Sequence, residues 1–186
     1  MVPSQKRKNV AELHGAAADK GLRNLLEVSS KSERLIGQRL SAFNQRIELT
    51  DGTFPLECVY QGSKLFEKGG PYTDLFEASP REAKRDPRLT SSGNLIGFKL
   101  EGEEYPLLPP TAFYDWLYLR CIFRERDWLR RLSKLDGFTD IEFNPERSVN
   151  CQARACALFV SLEERGLLDD AVTSFSSLVG VQAMRL

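Results

Sequence analysis

The stretch FPLECVYQGSKLFEKGGPYTDL, residues 54–75, joins a helical pattern to one acid, one lysine and a Gly-Gly-Pro loop. Apolar residues recur in it at helical spacing and predict a helix over residues 56–67. Glu57 and Lys64 then share a face of this helix, about 10 Å apart along its axis, with Gln61 between them. A carboxylate and an amine on one face can protonate and attack a sugar. The alternative is a solvated polar stripe on a helix whose apolar side faces the core.

The length and composition are typical of a single globular domain. The chain has 186 residues, of which 41% are hydrophobic, and this is enough for one core. We therefore expect one domain over residues 1–186, with an N-terminal helix within residues 1–24 and a C-terminal tail over residues 173–186.

The charge balance and the hydropathy limit the possible partners. The 26 basic and 26 acidic residues cancel, so only a local patch can hold nucleic acid or an anionic membrane. No apolar run approaches the ~20 residues of a bilayer span, and the N-terminus lacks a signal-peptide core. We expect a cytoplasmic protein without a membrane partner.

Metal and cysteine chemistry are disfavoured. The single histidine, His14, has no partner for a zinc site and is the only candidate base for a catalytic thiol. The four cysteines lack CxxC spacing: Cys58, Cys121, Cys151 and Cys156. We predict no metal and no cofactor.

The N-terminal part contains the first candidate phosphate site. Residues 5–20 predict a helix that ends at Gly21, and residues 25–28 have strand character. The following Ser-Ser-Lys-Ser cluster, residues 29–32, offers hydroxyls, an amine and backbone N–H groups to a phosphate. An ordinary loop and helix start explain the same cluster and are favoured. A strand at residues 46–49 and an Asp-Gly turn lead to the helix that contains Glu57.

Residues 80–88 contain the best local candidate for a cationic binding surface. The helical spacing i, i+3, i+4 and i+7 predicts one basic edge for a polyphosphate or a DNA backbone. Its members are Arg81, Lys84, Arg85 and Arg88. A solvated stripe accounts for the same spacing equally well.

The middle of the chain predicts a hairpin and the central helix. Residues 95–100 and 104–107 are typical of paired strands. Two prolines then open the most apolar helix, from residue 111 to about residue 135. Asp115, among aromatic residues of this helix, is expected either to be partly buried or to cap the helix or pair with an arginine.

The C-terminal part contains a second candidate phosphate site. Residues 138–145 have strand character, and the polar residues 146–150 lead to a helix over residues 151–165. Arg154 lies on the first turn of that helix, where phosphate oxygens or a ribose can be held. Capping by Ser148 or Asn150 is the alternative. Together these elements predict an α+β fold, rich in helix, with a small antiparallel sheet and one cleft.

Several separated motifs resemble the NADAR superfamily, whose members carry an LSNF element, a Glu-x-x-x-Gln-x-x-Lys helix and a late Glu-x-x-Pro loop. The matching segments here are LSAFN, the Asp-Gly turn, FPLECVYQGSK, the Ala83-Lys84 step and IEFNP. More narrowly, six motifs are similar to the NADAR branch associated with DarT toxins: LEVSSKS, LSAFN, QGSKLFEKGGPYTDL, REAKRDPRL, TAFYDWLY and FTDIEFNPERSVNCQAR. The similarity runs from about residue 4 to residue 172, with six motifs in the same order.

The resemblance implies hydrolysis of the N-glycosidic bond between ADP-ribose and guanine in DNA. Such an enzyme reverses the modification made by a paired DarT-type toxin and acts as an antitoxin. The implied partners are ADP-ribosylated DNA, ADP-ribose and that toxin. Glu57 is expected to assist the leaving base or the charged ribose. Lys64 is expected to attack as a neutral amine and form an imine that water resolves, with direct attack by water as the alternative.

The resemblance also supplies candidate binding residues. Ser30, Lys31, Ser41, Asn44 and Arg154 are expected to hold ADP-ribose, and Asp115 and Trp116 to line the pocket. The late loop departs from the superfamily, because residues 147–151 replace an acid and a Trp-Gly pair; Asp140 or Glu142 can substitute for that acid. Relatives in this branch carry a strand ahead of the position of Met1, so the sequence leaves open whether its start is complete.

Two alternatives from other functional classes remain. A binding module for ADP-ribose would keep the phosphate loops but would not need both Glu57 and Lys64. An antitoxin that only covers the toxin's active site would depend on surface aromatic residues instead of a pocket. The presence of both Glu57 and Lys64 favours the enzyme. The strandedness of the DNA and the oligomeric state stay open.

Overall fold

The computed structural model describes residues 3–142 and 151–184. Within them the helices are α1 (Pro3–Ala18), α2 (Leu35–Arg39), α3 (Leu56–Gly62), α4 (Pro80–Ala83), α5 (Arg88–Ser91), α6 (Ala112–Phe123), α7 (Arg126–Leu129), α8 (Gln152–Glu164), α9 (Leu168–Thr173) and α10 (Phe175–Ala183). The strands are β1 (Leu25–Glu27), β2 (Arg46–Leu49), β3 (Gly52–Pro55), β4 (Lys64–Phe66), β5 (Leu95–Leu100), β6 (Glu103–Tyr105) and β7 (Gly137–Thr139). This mixture of helices and small sheets confirms the predicted α+β class.

The chain divides into two compact units, each with its own helices and strands. Unit 1 consists of Met1–Ala42 and Glu125–Leu168, and unit 2 of Phe43–Arg124 and Asp169–Leu186. The assignment of the whole chain to one domain stays a prediction. No helix within the described residues is long and apolar enough to cross a membrane.

Unit 1 is built on a two-stranded parallel sheet. Strand β1 pairs with β7, with Leu26 opposite Phe138. The carboxylate of Glu27, only 3% exposed, accepts hydrogen bonds from Ser29 Oγ at 2.6 Å, Thr139 Oγ1 at 2.6 Å and Ile141 N at 2.9 Å. These donors compensate the cost of burying the acid and join the ends of the two strands. The parallel pairing departs from the predicted antiparallel sheet.

Unit 2 contains the antiparallel strands that the sequence predicts. Strands β2 and β3 form a hairpin around the Asp-Gly turn, and β4, β5 and β6 form a sheet in that order. The hairpin of β5 and β6 is confirmed. Both sheets adjoin α6, whose residues from Ala112 to Leu119 are all buried. The rings of Phe113, Trp116, Tyr105 and Phe175 contact one another, so the core of this unit is mainly aromatic.

Two predicted helices are shorter than their sequence patterns indicate. The helix expected over residues 56–67 ends at Gly62, because residues 64–66 pair with β5 instead. The carbonyls of Gly62 and Ser63 accept bonds from Tyr72 N and Lys99 N, both at 2.7 Å, so they need no further helical donors. The central helix ends at Phe123 instead of near residue 135. Its apolar pattern continues because Leu129 and Leu132 belong to the core of unit 1.

The predicted basic edge over residues 80–88 is wrong. Helix α4 ends at Ala83, and Pro87 separates it from α5, since proline disfavours continuation of a helix. Arg88 is occupied within the protein, donating to Asp86 Oδ1 at 2.9 Å and to Asp74 Oδ2 at 2.6 Å. The four basic residues therefore do not lie along one face of a continuous helix, as the spacing predicted.

Helix α4 offers a test of local stability. The Ser79 hydroxyl accepts from Glu82 N at 3.3 Å, and Glu82 Oε2 accepts from Ser79 N at 3.0 Å, which completes a capping box. We expect Ser79→Ala to lower the free energy of unfolding by about 1 kcal/mol in urea titration. Ser91→Ala, at an exposed position inside α5, is the matched control. Equal stability of the two variants would contradict the capping role.

Residues 143–150 lie outside the described residues. The predicted strand over residues 138–145 is observed only as β7, Gly137–Thr139. Residues 140–142 are not in a strand, and residues 143–145 are not described. The polar segment at residues 146–150, with its capping residues Ser148 and Asn150, also lies outside. Helix α8 begins after Cys151 and extends to Glu164, which confirms the helix predicted over residues 151–165.

Candidate active site

Helix α3 places two polar side chains among buried apolar residues. It begins after Pro55, where Leu56 N donates to Gln45 O at 3.0 Å, and every residue in it except Tyr60 is buried. Glu57 and Gln61 are each only 6% exposed. Buried acids and amides are uncommon in cores unless their polar atoms have partners. The partners of these two side chains therefore identify the candidate site.

The acid, the amide and the lysine form a hydrogen-bonded series. Gln61 Nε2 donates to Glu57 Oε1 at 2.8 Å, and Lys64 Nζ donates to Gln61 Oε1 at 2.6 Å. The structure therefore brings the predicted pair together, although Lys64 begins β4 and does not share a helix with Glu57. The prediction that Glu57 and Lys64 lie on one helical face, seven residues apart, was wrong. The two side chains are linked instead through the side-chain amide of Gln61.

The environment of Lys64 favours a neutral amine. Burial lowers the pKa of Lys64 from 10.5 to about 8; the negative charge of Glu57 opposes this shift, and the positive charge of Lys84 adds to it. Lys64 Nζ also lies 4.9 Å from the centre of the Tyr60 ring, a contact that favours the ammonium form. The loss of hydration is the largest of these effects. The neutral form of Lys64 is therefore a minority at neutral pH and becomes half of the population near pH 8.

Lys84 is a second amine beside Glu57. Its Nζ lies 3.9 Å from Glu57 Oε1 and 5.7 Å from the centre of the Phe43 ring. The Lys84 side chain is 58% exposed, so its ion pair with Glu57 contributes little stability. Lys84 nevertheless places a positive charge beside the Glu57 carboxylate. From sequence alone, Lys84 belongs only to the predicted basic edge and to the Ala83-Lys84 step of the family resemblance. The contact with Glu57 joins segments 27 residues apart in the chain and leaves no local sequence signal.

The Gly-Gly-Pro loop holds the backbone of Lys64. Gly70 has a φ of +87°, and a Cβ added there would collide with the Lys64 carbonyl oxygen. Phe66 N donates to Gly69 O at 2.8 Å, so the loop turns back on β4. Close approach of this kind requires glycine. The loop therefore fixes the strand that carries the amine.

The remaining predicted residues of unit 2 differ in exposure. Asn44 is exposed. Asp115 is fully buried and accepts a hydrogen bond from Thr111 Oγ1 at 2.8 Å, so it stabilises the start of α6. Trp116 is 7% exposed, and the Arg120 guanidinium lies 4.7 Å from the centre of its ring. Contact between Asp115 or Trp116 and a ligand stays a prediction.

Ser30 and Lys31 lie together in unit 1. Lys31 Nζ donates to Ser30 Oγ at 2.8 Å, and Ser30 Oγ donates to Glu142 Oε2 at 3.3 Å. Lys6 Nζ contacts the other oxygen of Glu142 at 2.8 Å. The amine and the hydroxyl that were expected to hold a phosphate are thus adjacent, and Glu142 contacts the hydroxyl and Lys6.

A partly buried polar network in unit 1 contacts Ala42, within the part of the LSAFN segment that belongs to this unit. Ala42 N donates to Gln152 Oε1 at 2.6 Å, and Gln152 Nε2 donates to Asp140 Oδ2 at 3.1 Å. Burial raises the pKa of Asp140 above its usual value, while a bond from Glu142 N opposes the shift. Ser41 is fully buried, and its hydroxyl has no hydrogen-bond partner among the described residues. Arg154 is exposed on the first turn of α8.

Each unit has a cavity that is not lined by the candidate pair Glu57 and Lys64. One, of about 460 Å³, lies between the β2–β3 hairpin and α6 in unit 2. The other, of about 200 Å³, is lined by residues of α8 and of residues 129–133 in unit 1. Neither is lined by Glu57 or Lys64. Among the described residues, no group of three or more His, Cys, Asp or Glu side chains can hold a metal ion.

Comparison with known proteins identifies one matching family. The family model described as DarT1-associated NADAR antitoxin matches residues 1–184. This match includes both units and the segment that carries Glu57, Gln61 and Lys64. None of the curated proteins that were compared with the chain matches it.

Proposed function

The chain belongs to the family of DarT1-associated NADAR antitoxins, and on this premise we propose that it hydrolyses the N-glycosidic bond between ADP-ribose and guanine in DNA. Membership supports the role of an antitoxin associated with a DarT toxin. The glycohydrolase activity is the proposal. The observation that carries it is the series Glu57, Gln61 and Lys64, in which a buried acid and an amine with a lowered pKa share one amide.

The proposed reaction begins with attack by the neutral Lys64 amine on the anomeric carbon of the ribose. A bond forms between Lys64 Nζ and that carbon, while the bond to guanine breaks and its electron pair leaves with the base. The attacking amine carries two protons, and one of them is transferred to the departing base. The other moves to the ring oxygen as the ribose ring opens, which gives an imine between Lys64 and the sugar. Water adds to the imine, releases ADP-ribose and restores the amine. The lowered pKa of Lys64 supports this route over direct attack by water.

Glu57 is proposed to stabilise the positive charge that develops on the ribose as the base leaves. Gln61 Nε2 donates to Glu57 Oε1 at 2.8 Å, and Lys84 Nζ lies 3.9 Å from the same oxygen. The same carboxylate can accept a proton from the water that resolves the imine. Its burial at 6% exposure strengthens its electrostatic effect on a bound sugar, since little water screens it.

The binding of the ADP-ribose portion is also a proposal. Ser30 and Lys31 offer a hydroxyl and an ammonium side by side for the diphosphate, and exposed Arg154 offers a guanidinium. Buried Ser41 offers a hydroxyl without a partner in the described part of the chain, and Asn44 an exposed amide. The imine mechanism requires no metal and no cofactor.

The proposal is tested with purified protein and an oligonucleotide that carries ADP-ribose on guanine. Mass spectrometry of the released products is expected to show free ADP-ribose and unmodified DNA. Retention of the modified DNA on the protein without release would instead support an ADP-ribose-binding module. Neither binding nor release, together with a stable complex with the toxin, would support a toxin-binding antitoxin. Single-stranded DNA is the first substrate, because a base in a duplex must be extruded first.

The pH dependence of release provides a second test. Only the neutral amine attacks, and Lys64 has a pKa of about 8, so the fraction of active enzyme rises as pH increases through that value. We expect the single-turnover rate to increase about tenfold per pH unit below the midpoint and to level off above it. The measurement is release within a single turnover across this range. A rate that is flat, or that falls, through pH 8 would contradict attack by Lys64.

A further inference from the structure

Gln61 connects the two reactive groups through both ends of its amide. Its nitrogen donates to Glu57 Oε1 at 2.8 Å, and its oxygen accepts from Lys64 Nζ at 2.6 Å. A lysine ammonium can only donate and a carboxylate can only accept, so the orientation of the amide is fixed by its neighbours. Gln61 is 6% exposed, and water therefore does not compete effectively for these bonds.

We propose that Gln61 is a positioning residue that keeps one neutral amide between Glu57 and Lys64 and so prevents a direct ion pair between them. This inference rests on the proposed function, because it concerns the supply of a neutral amine. In a direct ion pair the carboxylate would hold the proton on Lys64, and the amine would have no electron pair for attack. An amide oxygen carries only a partial negative charge. It can orient the amine and still allow the proton to leave.

The local fold explains why glutamine is at this position. Glu57 and Gln61 are four residues apart in α3, so their side chains lie on one face. Lys64 follows the helix, starts β4 and reaches back to Gln61 from the sheet side. A shorter amide or an apolar residue at position 61 would leave at least one of the two bonds unmade.

The electrostatic surroundings of Lys64 agree with this separation. Two groups on α3 face Lys64: Glu57, which raises its pKa, and the Tyr60 ring, which lies near its ammonium group. Lys84, in the segment after α4, lowers the pKa of Lys64. From β5 the pairing partner of Lys64 is Phe98, an apolar residue. Burial exceeds the effect of Glu57, and the resulting pKa is about 8. A carboxylate in direct contact with Nζ is expected to reverse that balance.

The substitution Gln61→Glu tests the inference, because it replaces the neutral spacer by a carboxylate of the same shape. The readout is the titration midpoint of Lys64, measured as the pH dependence of its acylation by a small amine-reactive reagent and located by peptide mass spectrometry. We expect the midpoint to rise by at least about one pH unit relative to the unmodified protein. The pH profile of ADP-ribose release should shift upward by a similar amount, with activity restored at high pH.

Two further variants separate positioning from general damage. Gln61→Met keeps a similar volume without hydrogen bonds and is expected to reduce release at every pH, without an upward shift of the Lys64 midpoint. Gln5→Glu makes the same chemical change at an exposed position and should leave the midpoint and the release rate unchanged. Circular dichroism confirms that each variant is folded before titration.

The outcomes distinguish this inference from the proposed function. A Lys64 midpoint that is unchanged or lowered in folded Gln61→Glu would overturn the role of Gln61, even if the protein releases ADP-ribose. A raised midpoint would support that role. If the midpoint rises but the unmodified protein releases no ADP-ribose, the proposed function fails while Gln61 still separates the acid from the amine.

Discussion

Replacement of Lys64 by alanine is expected to reduce the release of ADP-ribose from guanine-modified DNA by about 10³-fold or more. The variant has no amine at the anomeric carbon, so the imine cannot form. Lys64→Arg is expected to lose a similar amount, since a guanidinium keeps the positive charge but stays protonated. Glu57→Gln should lose about 10²-fold to 10⁴-fold, because it removes the carboxylate and keeps its shape. The measurement is the single-turnover rate at saturating protein.

Lys99→Ala is the matched control for these substitutions. Lys99 lies on β5, the neighbouring strand, where it pairs with the exposed Glu104 at 3.1 Å. We expect its release rate to stay within about twofold of the unmodified protein, in line with the small effects of surface substitutions. Substantial activity in Lys64→Arg, above about one tenth of normal, would show that the charge of the residue matters and its nucleophilicity does not.

The substitution Gly70→Ala is expected to have the second largest effect. The residue has a φ of +87°, and an added Cβ would strike the Lys64 carbonyl oxygen, so β4 must move. We expect a loss of about 2–4 kcal/mol in the free energy of unfolding, from strain and from the forced displacement. Release should fall by about 10²-fold, because a shift near 1 Å misplaces the amine. Urea unfolding and single-turnover release measure the two effects.

Gly102→Ala separates backbone strain from the contact with Lys64. Gly102 has a nearly identical φ of +86°, but an added Cβ there would meet nothing within 4 Å. Strain alone should cost this variant about 1–2 kcal/mol, with unchanged release. Equal losses of stability and activity in the two variants would show that the Gly-Gly-Pro loop does not hold Lys64 in place.

The elements that sequence predicts correctly are those with local signals. Helix α1 ends before Gly21, and the β2–β3 hairpin turns at the Asp-Gly pair. Helix α8 also follows its periodic pattern closely. In each case the bonds that define the element join residues close in the chain, so glycine, turn residues and periodicity are sufficient.

The predictions that fail depend on contacts between distant segments. Residues 64–66 pair with β5 some thirty residues later, which overrides the helical pattern and ends α3 at Gly62. The parallel pairing of β1 with β7 joins positions more than one hundred residues apart. The prediction of a basic edge failed for a local reason. Pro87 interrupts the helix that the charge spacing assumed.

The candidate site was predicted in its residues and not in its geometry. Glu57 and Lys64 could be selected because an acid and an amine occur close together in a short segment that resembles a known family. Their link through Gln61 depends on the end of α3 and the start of β4, which spacing alone does not show. The contact of Lys84 with Glu57 was missed for the same reason, since it crosses from one segment to another.

Borohydride trapping during turnover is the most direct measurement of the central claim, that the Lys64 amine forms a covalent bond with the sugar. Borohydride reduces an imine to a stable amine, and peptide mass spectrometry then locates it. The account predicts that the peptide containing Lys64 carries the added mass of the reduced ADP-ribose. This adduct is expected in the protein without substitutions and is expected to be absent from Lys64→Arg. Rapid release of ADP-ribose with no adduct, or with the adduct on Lys31, would contradict it.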